Sequence, residues 1–118
     1  MKKIIFYSYL KCSTCRKAAK WFLGKDFEFQ LIDIVKEPPL AKYLNLALEL
    51  YSDDKKRIFN TRGKAFKSIN PNIYSLSAGE IIQLLMSDGK LIKRPFLIYE
   101  GEKVILGFNE IEYAKQFI

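Results

Sequence analysis

The chain has 118 residues, of which 49% are hydrophobic and 14% aromatic, and carries a formal net charge of +7 at pH 7 with no histidine. This length and apolar content suit one folded domain over residues 1–118 and exclude a disordered chain. Two cysteines make no disulfide scaffold and no stretch nears the roughly 20 apolar residues that cross a bilayer, so a reducing, cytoplasmic setting without a membrane partner is expected.

Residues 3–9, Lys-Ile-Ile-Phe-Tyr-Ser-Tyr, read as a buried first strand, rich in β-branched and aromatic side chains. Lys2-Lys3 ahead of it only imitates a signal peptide, because the run leads into Lys11-Cys12 without a small-residue cleavage site. A first helix is expected from about Ser13, with Ala18, Ala19, Phe22 and Leu23 facing inward and Gly24 ending it. Phe27-Glu28-Phe29-Gln30-Leu31 alternates strictly and predicts a second strand, parallel to the first through a right-handed crossover. Pro38-Pro39 opens a helix carrying Leu40, Tyr43, Leu44, Ala47, Leu48 and Tyr51, which stops at Ser52-Asp53-Asp54. A short amphipathic piece with Ala65, Phe66 and Ile69 follows Asn60 and is broken at Asn70-Pro71-Asn72. Ser77 and Glu80 form a capping box ahead of Ile81, Ile82, Leu84 and Leu85, which completes a helical insertion over residues 37–90. Phe96-Leu97-Ile98-Tyr99, a turn at Glu100-Gly101-Glu102 and Val104-Ile105-Leu106 predict a hairpin. Asn109 and Glu112 cap a last helix with Ile111, Ala114, Phe117 and Ile118 apolar.

The chemistry concentrates in Lys11-Cys12-Ser13-Thr14-Cys15-Arg16-Lys17, which holds both cysteines at the first strand–helix junction. A sulfur at a helix N-terminus meets unpaired N–H groups and the positive end of the macrodipole. Lys11, Arg16 and Lys17 add positive charge, and no carboxylate lies between Lys2 and Gly24. Cys12 is therefore expected to ionise well below the roughly 8.5 of a free thiol, with Cys15 one turn on, facing inward and placed to attack a mixed disulfide on Cys12. Two blander readings stand beside this one. The pair could be inert packed thiols, or half of a zinc site shared across a dimer, since two cysteines without histidine cannot complete one alone. Cys–His catalysis is excluded. The positive charge is spread along the chain with one modest cluster at Lys55-Lys56-Arg57 and no nucleic-acid motif, which favours a solvated basic surface, or acidic proteins and oxyanions as partners, over direct nucleic-acid binding.

The element order resembles the thioredoxin fold: an α/β chain with a mixed four-stranded sheet and a helical insertion between the second and third strands. Three stretches carry a closer resemblance: Lys11 to Ala18, Phe59-Asn60-Thr61-Arg62-Gly63, and Leu91 to Leu97 followed by Gly107-Phe108. Together they resemble the arsenate reductase and Spx-like family of the thioredoxin superfamily, nearly end to end. In the glutaredoxin-coupled arsenate reductases the nucleophilic cysteine matches Cys12, and oxyanion-binding arginines match Arg62 and Arg94. Those enzymes carry a third arginine where this chain has Leu106-Gly107-Phe108, and they generally lack the counterpart of Cys15. An arginine placed at Gly107 is expected to tighten anion binding if the backbone there does not need φ > 0. In the Spx-type regulators, which bind RNA polymerase, a Cys-x-x-Cys oxidation switch matches Cys12 and Cys15. Their polymerase-contact loop holds a glycine where this chain has Asp53-Asp54-Lys55-Lys56. The resemblance further implies a cis bond before Pro95, facing the cysteine loop.

The resulting expectation is a monomeric, cytoplasmic, arsenate reductase-like thiol–disulfide redox protein with Cys12 as nucleophile and Cys15 as resolving thiol. Arg62, Arg94 and Pro95 would bind an oxyanion or the carboxylate of a small thiol or disulfide substrate. No bound cofactor or metal is expected, with glutathione, glutaredoxin or thioredoxin as external thiol donor. The alternative is an Spx-type redox-switched regulator binding RNA polymerase, and a third reading is a family scaffold without efficient activity.

Overall fold

A computed structural model describes residues 2–69 and 72–118. Its sheet has four strands in the order β2-β1-β3-β4, so the central pair is β1 (Lys2–Ser8) and β3 (Phe96–Tyr99). β1 pairs parallel with β2 (Phe27–Asp33), with Phe6 opposite Leu31. β1 and β3 run antiparallel, as do β3 and β4 (Lys103–Leu106). The mixed sheet and the insertion between β2 and β3 have the predicted order.

Both central strands are buried on both faces, which explains their uninterrupted apolar runs. On one face Ile4, Phe6, Leu97 and Ile105 pack with α1 (Ser13–Phe22) and α5 (Glu110–Phe117) through Ala18, Phe22, Tyr113 and Phe117. On the other, Tyr7, Phe96, Ile98 and Val104 pack with α2 (Ala41–Leu50) and α4 (Ala78–Ser87) through Leu44, Ala47, Ile81 and Leu85. The strict alternation in β2 does make a strand, but at an edge. Phe27 and Phe29 reach the Phe22 ring at 5.5 and 5.3 Å, whereas Leu31 remains exposed.

Local signals set most boundaries. The Ser77 hydroxyl accepts from Glu80 N–H at 3.2 Å and the Glu80 carboxylate from Ser77 N–H at 2.9 Å, completing the capping box. Asn109 Oδ1 accepts from Glu112 N–H at 3.0 Å at the start of α5. Glu100 (φ 54) and Gly101 (φ 69) both adopt positive φ, the backbone of a type I′ hairpin turn. Several apolar positions of the predicted helices lie outside the core. Leu23 is exposed because α1 ends at Phe22 and the chain turns extended there. In α5 the inward stripe is the i, i+4 pair Tyr113 and Phe117, leaving Ile111, Ala114 and Ile118 outside. Pro38-Pro39 precedes rather than opens α2, whose cap is the exposed Leu40.

The insertion also contains a 3₁₀ turn at Lys55–Ile58, α3 (Lys64–Ile69) and further 3₁₀ turns at Ile73–Ser75 and Gly89–Leu91. The predicted break at Asn70-Pro71 lies outside the described residues. Two backbone bonds tie the insertion back to the approach of β3: Asn60 N–H donates to Leu91 C=O at 2.8 Å and Lys93 N–H to Ile58 C=O at 2.9 Å. They flank an antiparallel bridge between Phe59 and Ile92, both buried.

Gly89 sits at the other end of this tie, against the chain leaving β2. A Cβ there would overlap the Ile34 carbonyl oxygen, a backbone atom that has nowhere to move. Gly89→Ala should therefore lower stability by about 1–3 kcal/mol or more, read as a fall in the denaturation midpoint at unchanged slope.

Candidate active site

β1 ends at Ser8, and the chain turns through Cys12 N–H donating to Tyr9 C=O at 2.9 Å before α1 begins at Ser13. Cys12 is thus the N-cap of α1, the position where a side chain normally supplies an oxygen to unpaired helix N–H groups. Here the acceptor is sulfur: Cys15 N–H donates to Cys12 Sγ at 3.4 Å. Cys12 is half-buried, Cys15 is 3% exposed, and both are free thiols.

The two sulfurs ionise in opposite directions. Burial pushes Cys12 up, but the Cys15 N–H, the Cys15 thiol, the Arg94 guanidinium and the Thr14 N–H together hold it below its ordinary value of 9.0. Cys15 is pushed up to about 12, chiefly by burial, then by donating to Cys12 and by the Cys12 charge, against the Tyr9 backbone and Arg94. The direction expected for Cys12 holds, as does the part played by the helix N–H groups, but the charged partner differs. The charge that acts on it is Arg94, at the entry to the neighbouring strand β3, rather than Lys11, Arg16 or Lys17. Arg16 is occupied elsewhere, its guanidinium donating to Leu10 C=O at 2.8 Å.

Arg94 has unusual surroundings. Its guanidinium lies 4.9 Å over the Tyr9 ring, and its Nη1 is buried without a hydrogen-bond partner. A buried, unpaired guanidinium N–H is costly unless a ligand satisfies it. The Arg94–Pro95 bond is cis, and Pro95 is buried ahead of β3. Arg62, exposed on the loop before α3, lines the same cavity of about 770 Å³ as Cys12 and Arg94. The fold therefore brings Cys12, Arg62 and Arg94 together, with Cys15 directly beneath.

Gly107 lines this cavity where a third arginine would stand, but its backbone has φ +73, and a Cβ would press on the Lys93 side chain at 3.2 Å. The condition attached to an arginine at this position is not met. Its carbonyl accepts from the Tyr113 hydroxyl at 2.6 Å. Sequence reading missed Tyr9, Lys93 and Tyr113. Tyr9 continues the apolar run of the first strand, and its place one turn before Cys12 is its one sequence signal for a role in the site. Among the described residues no cluster of His, Cys, Asp and Glu is arranged to hold a metal, and no helix is long and apolar enough to cross a membrane.

The model of the ArsC family matches residues 7–116. YusI of Bacillus subtilis (strain 168), described as uncharacterized, is 40% identical over 116 residues, covering 97% of this chain and 98% of that one. The global transcriptional regulator Spx of Lactiplantibacillus plantarum is 32% identical over 112 residues, covering 95% and 84%. The crystal structure of a possible arsenate reductase from Streptococcus mutans UA159 matches with a TM-score of 0.87 at 36% identity, covering 99% of this chain and all of the other.

Because Arg94 and the helix N–H groups hold Cys12 down while burial holds Cys15 up, alkylation by iodoacetamide should be selective. Cys12 labelling should rise with an inflection below 9.0, and Cys15 should stay unlabelled until far more alkaline pH. Arg94→Gln should move the Cys12 inflection upward, and Lys17→Gln should leave it in place. Mass spectrometry of labelled peptides across pH reads both.

Proposed function

The chain belongs to the ArsC family, and from that premise we propose that it is a cytoplasmic, monomeric thiol–disulfide oxidoreductase of the arsenate-reductase type. Cys12 is the nucleophile, Cys15 the resolving thiol, and Arg62, Arg94 and Pro95 form the anion side of the site. The observation that carries this reading is the opposed setting of the two sulfurs, Cys12 capping α1 and accepting from Cys15 N–H while Cys15 is buried one turn on, in a cavity shared with Arg94 and its unpartnered Nη1.

The chemistry follows from that opposition. The Cys12 thiolate attacks one sulfur of a disulfide substrate, forming a Cys12 mixed disulfide and expelling the other sulfur as a thiolate that takes a proton from solvent. Cys12 then no longer bears a negative charge or accepts from Cys15, which removes two of the effects that held the Cys15 proton. Cys15 loses its proton, attacks Cys12 Sγ and expels the second substrate thiolate. Two electrons have passed to the substrate and the Cys12–Cys15 disulfide remains, to be reduced by glutathione, glutaredoxin or thioredoxin. No bound cofactor takes part.

An oxyanion in the same cavity would meet two arginines rather than three. Each hydrogen bond to a charged group contributes about 1.5–3 kcal/mol, so oxyanion affinity should be lower by one or more powers of ten and arsenate turnover poor. A second reading, a redox-switched regulator that binds RNA polymerase, is supported by the 32% identity to a protein named a global transcriptional regulator. Affinity capture from a bacterial lysate, comparing wild type with Cys12→Ser/Cys15→Ser, separates the two. Thioredoxin or glutaredoxin in the eluate favours the enzyme, and polymerase subunits favour the regulator.

Mild peroxide should convert Cys12 to a sulfenic acid that Cys15 captures as a disulfide, while Cys15→Ser should overoxidise at Cys12. Identical products from the two proteins would end the resolving role. Sulfate should slow Cys12 alkylation in wild type. Arg94→Ala should lose most of that protection and Arg62→Ala part of it.

A further inference from the structure

The cavity at Cys12 does not end at Arg62. A second hollow of about 320 Å³ adjoins it, sharing Thr61, Lys93 and Leu106 as a common wall and extending to the Lys55–Ile58 turn. Each is within the size range of sites for whole organic ligands, and together they far exceed what a tetrahedral oxyanion fills.

The charge in this groove is not that of the chain at large. Its lining contains Lys11, Lys56, Arg57, Arg62, Lys93 and Arg94 against a single carboxylate, Asp54, among the described residues. The whole chain has 20 basic and 13 acidic residues. Most of the net +7 is therefore gathered in one groove, although the basic residues look dispersed in sequence. Such a concentration attracts a ligand with several negative charges spaced along its length.

The aromatic side chains decide which polyanion fits. Nucleic-acid strands bind basic grooves by stacking bases on open ring faces. Here the Arg57 guanidinium lies 4.5 Å over Tyr51 and that of Arg94 4.9 Å over Tyr9. Phe59 is buried, and Phe108 stands edge-on against Tyr113 at 4.9 Å. Two of these four rings are taken by the protein's own cations and a third is in the core, so the groove offers more charge than stacking surface. With a reactive sulfur at one end and the far hollow across Lys93, the occupant must carry a disulfide and reach beyond it with carboxylates.

We propose that the groove from Cys12 to the Lys55–Ile58 turn docks an acidic, disulfide-bearing polypeptide segment, its carboxylates along these six cations and one half-cystine at Cys12. This rests on the thiol chemistry proposed above: the Cys12 thiolate forms a disulfide with that half-cystine, and the segment's other sulfur leaves as a thiolate.

Two synthetic peptides test it, identical in length and cysteine position, one with glutamates flanking the cysteine and one with glutamines, each activated as a mixed disulfide with a coloured aromatic thiol. Release of the coloured thiol follows transfer to Cys12, and in Cys15→Ser the trapped adduct is weighed by mass spectrometry. The acidic peptide should react about tenfold faster at low ionic strength. The preference should nearly vanish near 1 M salt, where the screening length is about 3 Å. Lys56→Gln/Arg57→Gln should reduce it to about twofold or less, whereas Lys20→Gln/Lys115→Gln, which removes the same charge elsewhere, should preserve it. Equal rates for the two peptides, or equal loss in both double variants, would overturn the groove and leave the thiol chemistry standing. Glutathione disulfide slowed as strongly by Lys56→Gln/Arg57→Gln would assign the far hollow to a small thiol and overturn the polypeptide. A single-stranded oligonucleotide of matched charge that competes as well as a cysteine-free acidic peptide would overturn it in favour of nucleic acid. Anisotropy showing the acidic peptide bound, with no transfer to Cys12 at any salt, would overturn the thiol reading and the disulfide part of this one.

Discussion

The antiparallel bridge between Phe59 and Ile92 is the constraint on which the site depends. Two backbone hydrogen bonds of 2.8 and 2.9 Å hold the end of the Lys55–Ile58 turn against the segment that enters β3. Arg62 follows three residues after Phe59, and Arg94 two after Ile92, so fixing the bridge fixes both arginines on one wall. Phe59 and Ile92 are buried, which shields the bonds from water and makes them worth keeping. The insertion otherwise touches the sheet through a helical layer on the opposite face from α1. Without this bridge, Arg62 would have no reason to share a cavity with Cys12.

The second organising feature is how burial divides the work between two thiols. A helix N-cap is both partly solvated and rich in N–H donors, so a sulfur there can stay ionised. One turn further on, the same helix delivers Cys15 into the interior, where a thiolate is expensive and the thiol persists. The two sulfurs are thus set apart by position: N–H donors and Arg94 favour the thiolate at Cys12, whereas burial favours the thiol at Cys15.

Much of the fold was legible because its signals are local. The Ser77–Glu80 box, the Asn109 cap and the Glu100-Gly101 turn each involve residues within a few positions of one another, and the structure forms all three. The βαβ unit and the hairpin followed from strand composition and turn residues. Burial within elements was less legible. Leu23 and Ile111 fit a helical apolar stripe by spacing, yet α1 stops one residue early and α5 turns Tyr113 and Phe117 inward instead. The residues that meet at the cavity were legible, but their electrostatics were not. Lys11, Arg16 and Lys17 adjoin Cys12 in sequence, and it was natural to credit them. The helix start turns Arg16 and Lys17 out of the cavity, while Arg94, far away in sequence, is brought close by the sheet. The gathering of charge into one groove was hidden for the same reason, since it depends on which loops meet rather than on runs of lysine.

Gly107 shows how backbone conformation can settle a chemical question before side chains are considered. The turn after β4 must reverse direction over the cavity, with Gly107 N–H donating to Pro95 C=O at 2.9 Å and its carbonyl taken by Tyr113. That double tether holds φ at +73, a region that side chains other than glycine's enter only with strain. An arginine here would have to oppose both hydrogen bonds, or displace the Lys93 side chain that its Cβ would meet. Lys93 already supplies a cation to that wall, and it faces the second hollow as well as the first. The positive charge on this side of Cys12 is therefore carried by a flexible lysine rather than a fixed guanidinium. A lysine is a mobile point charge, whereas the planar arginine fork holds a carboxylate or an oxyanion in a fixed geometry. The backbone turn that works against a third arginine thus leaves this wall with an adjustable charge in place of a fixed one.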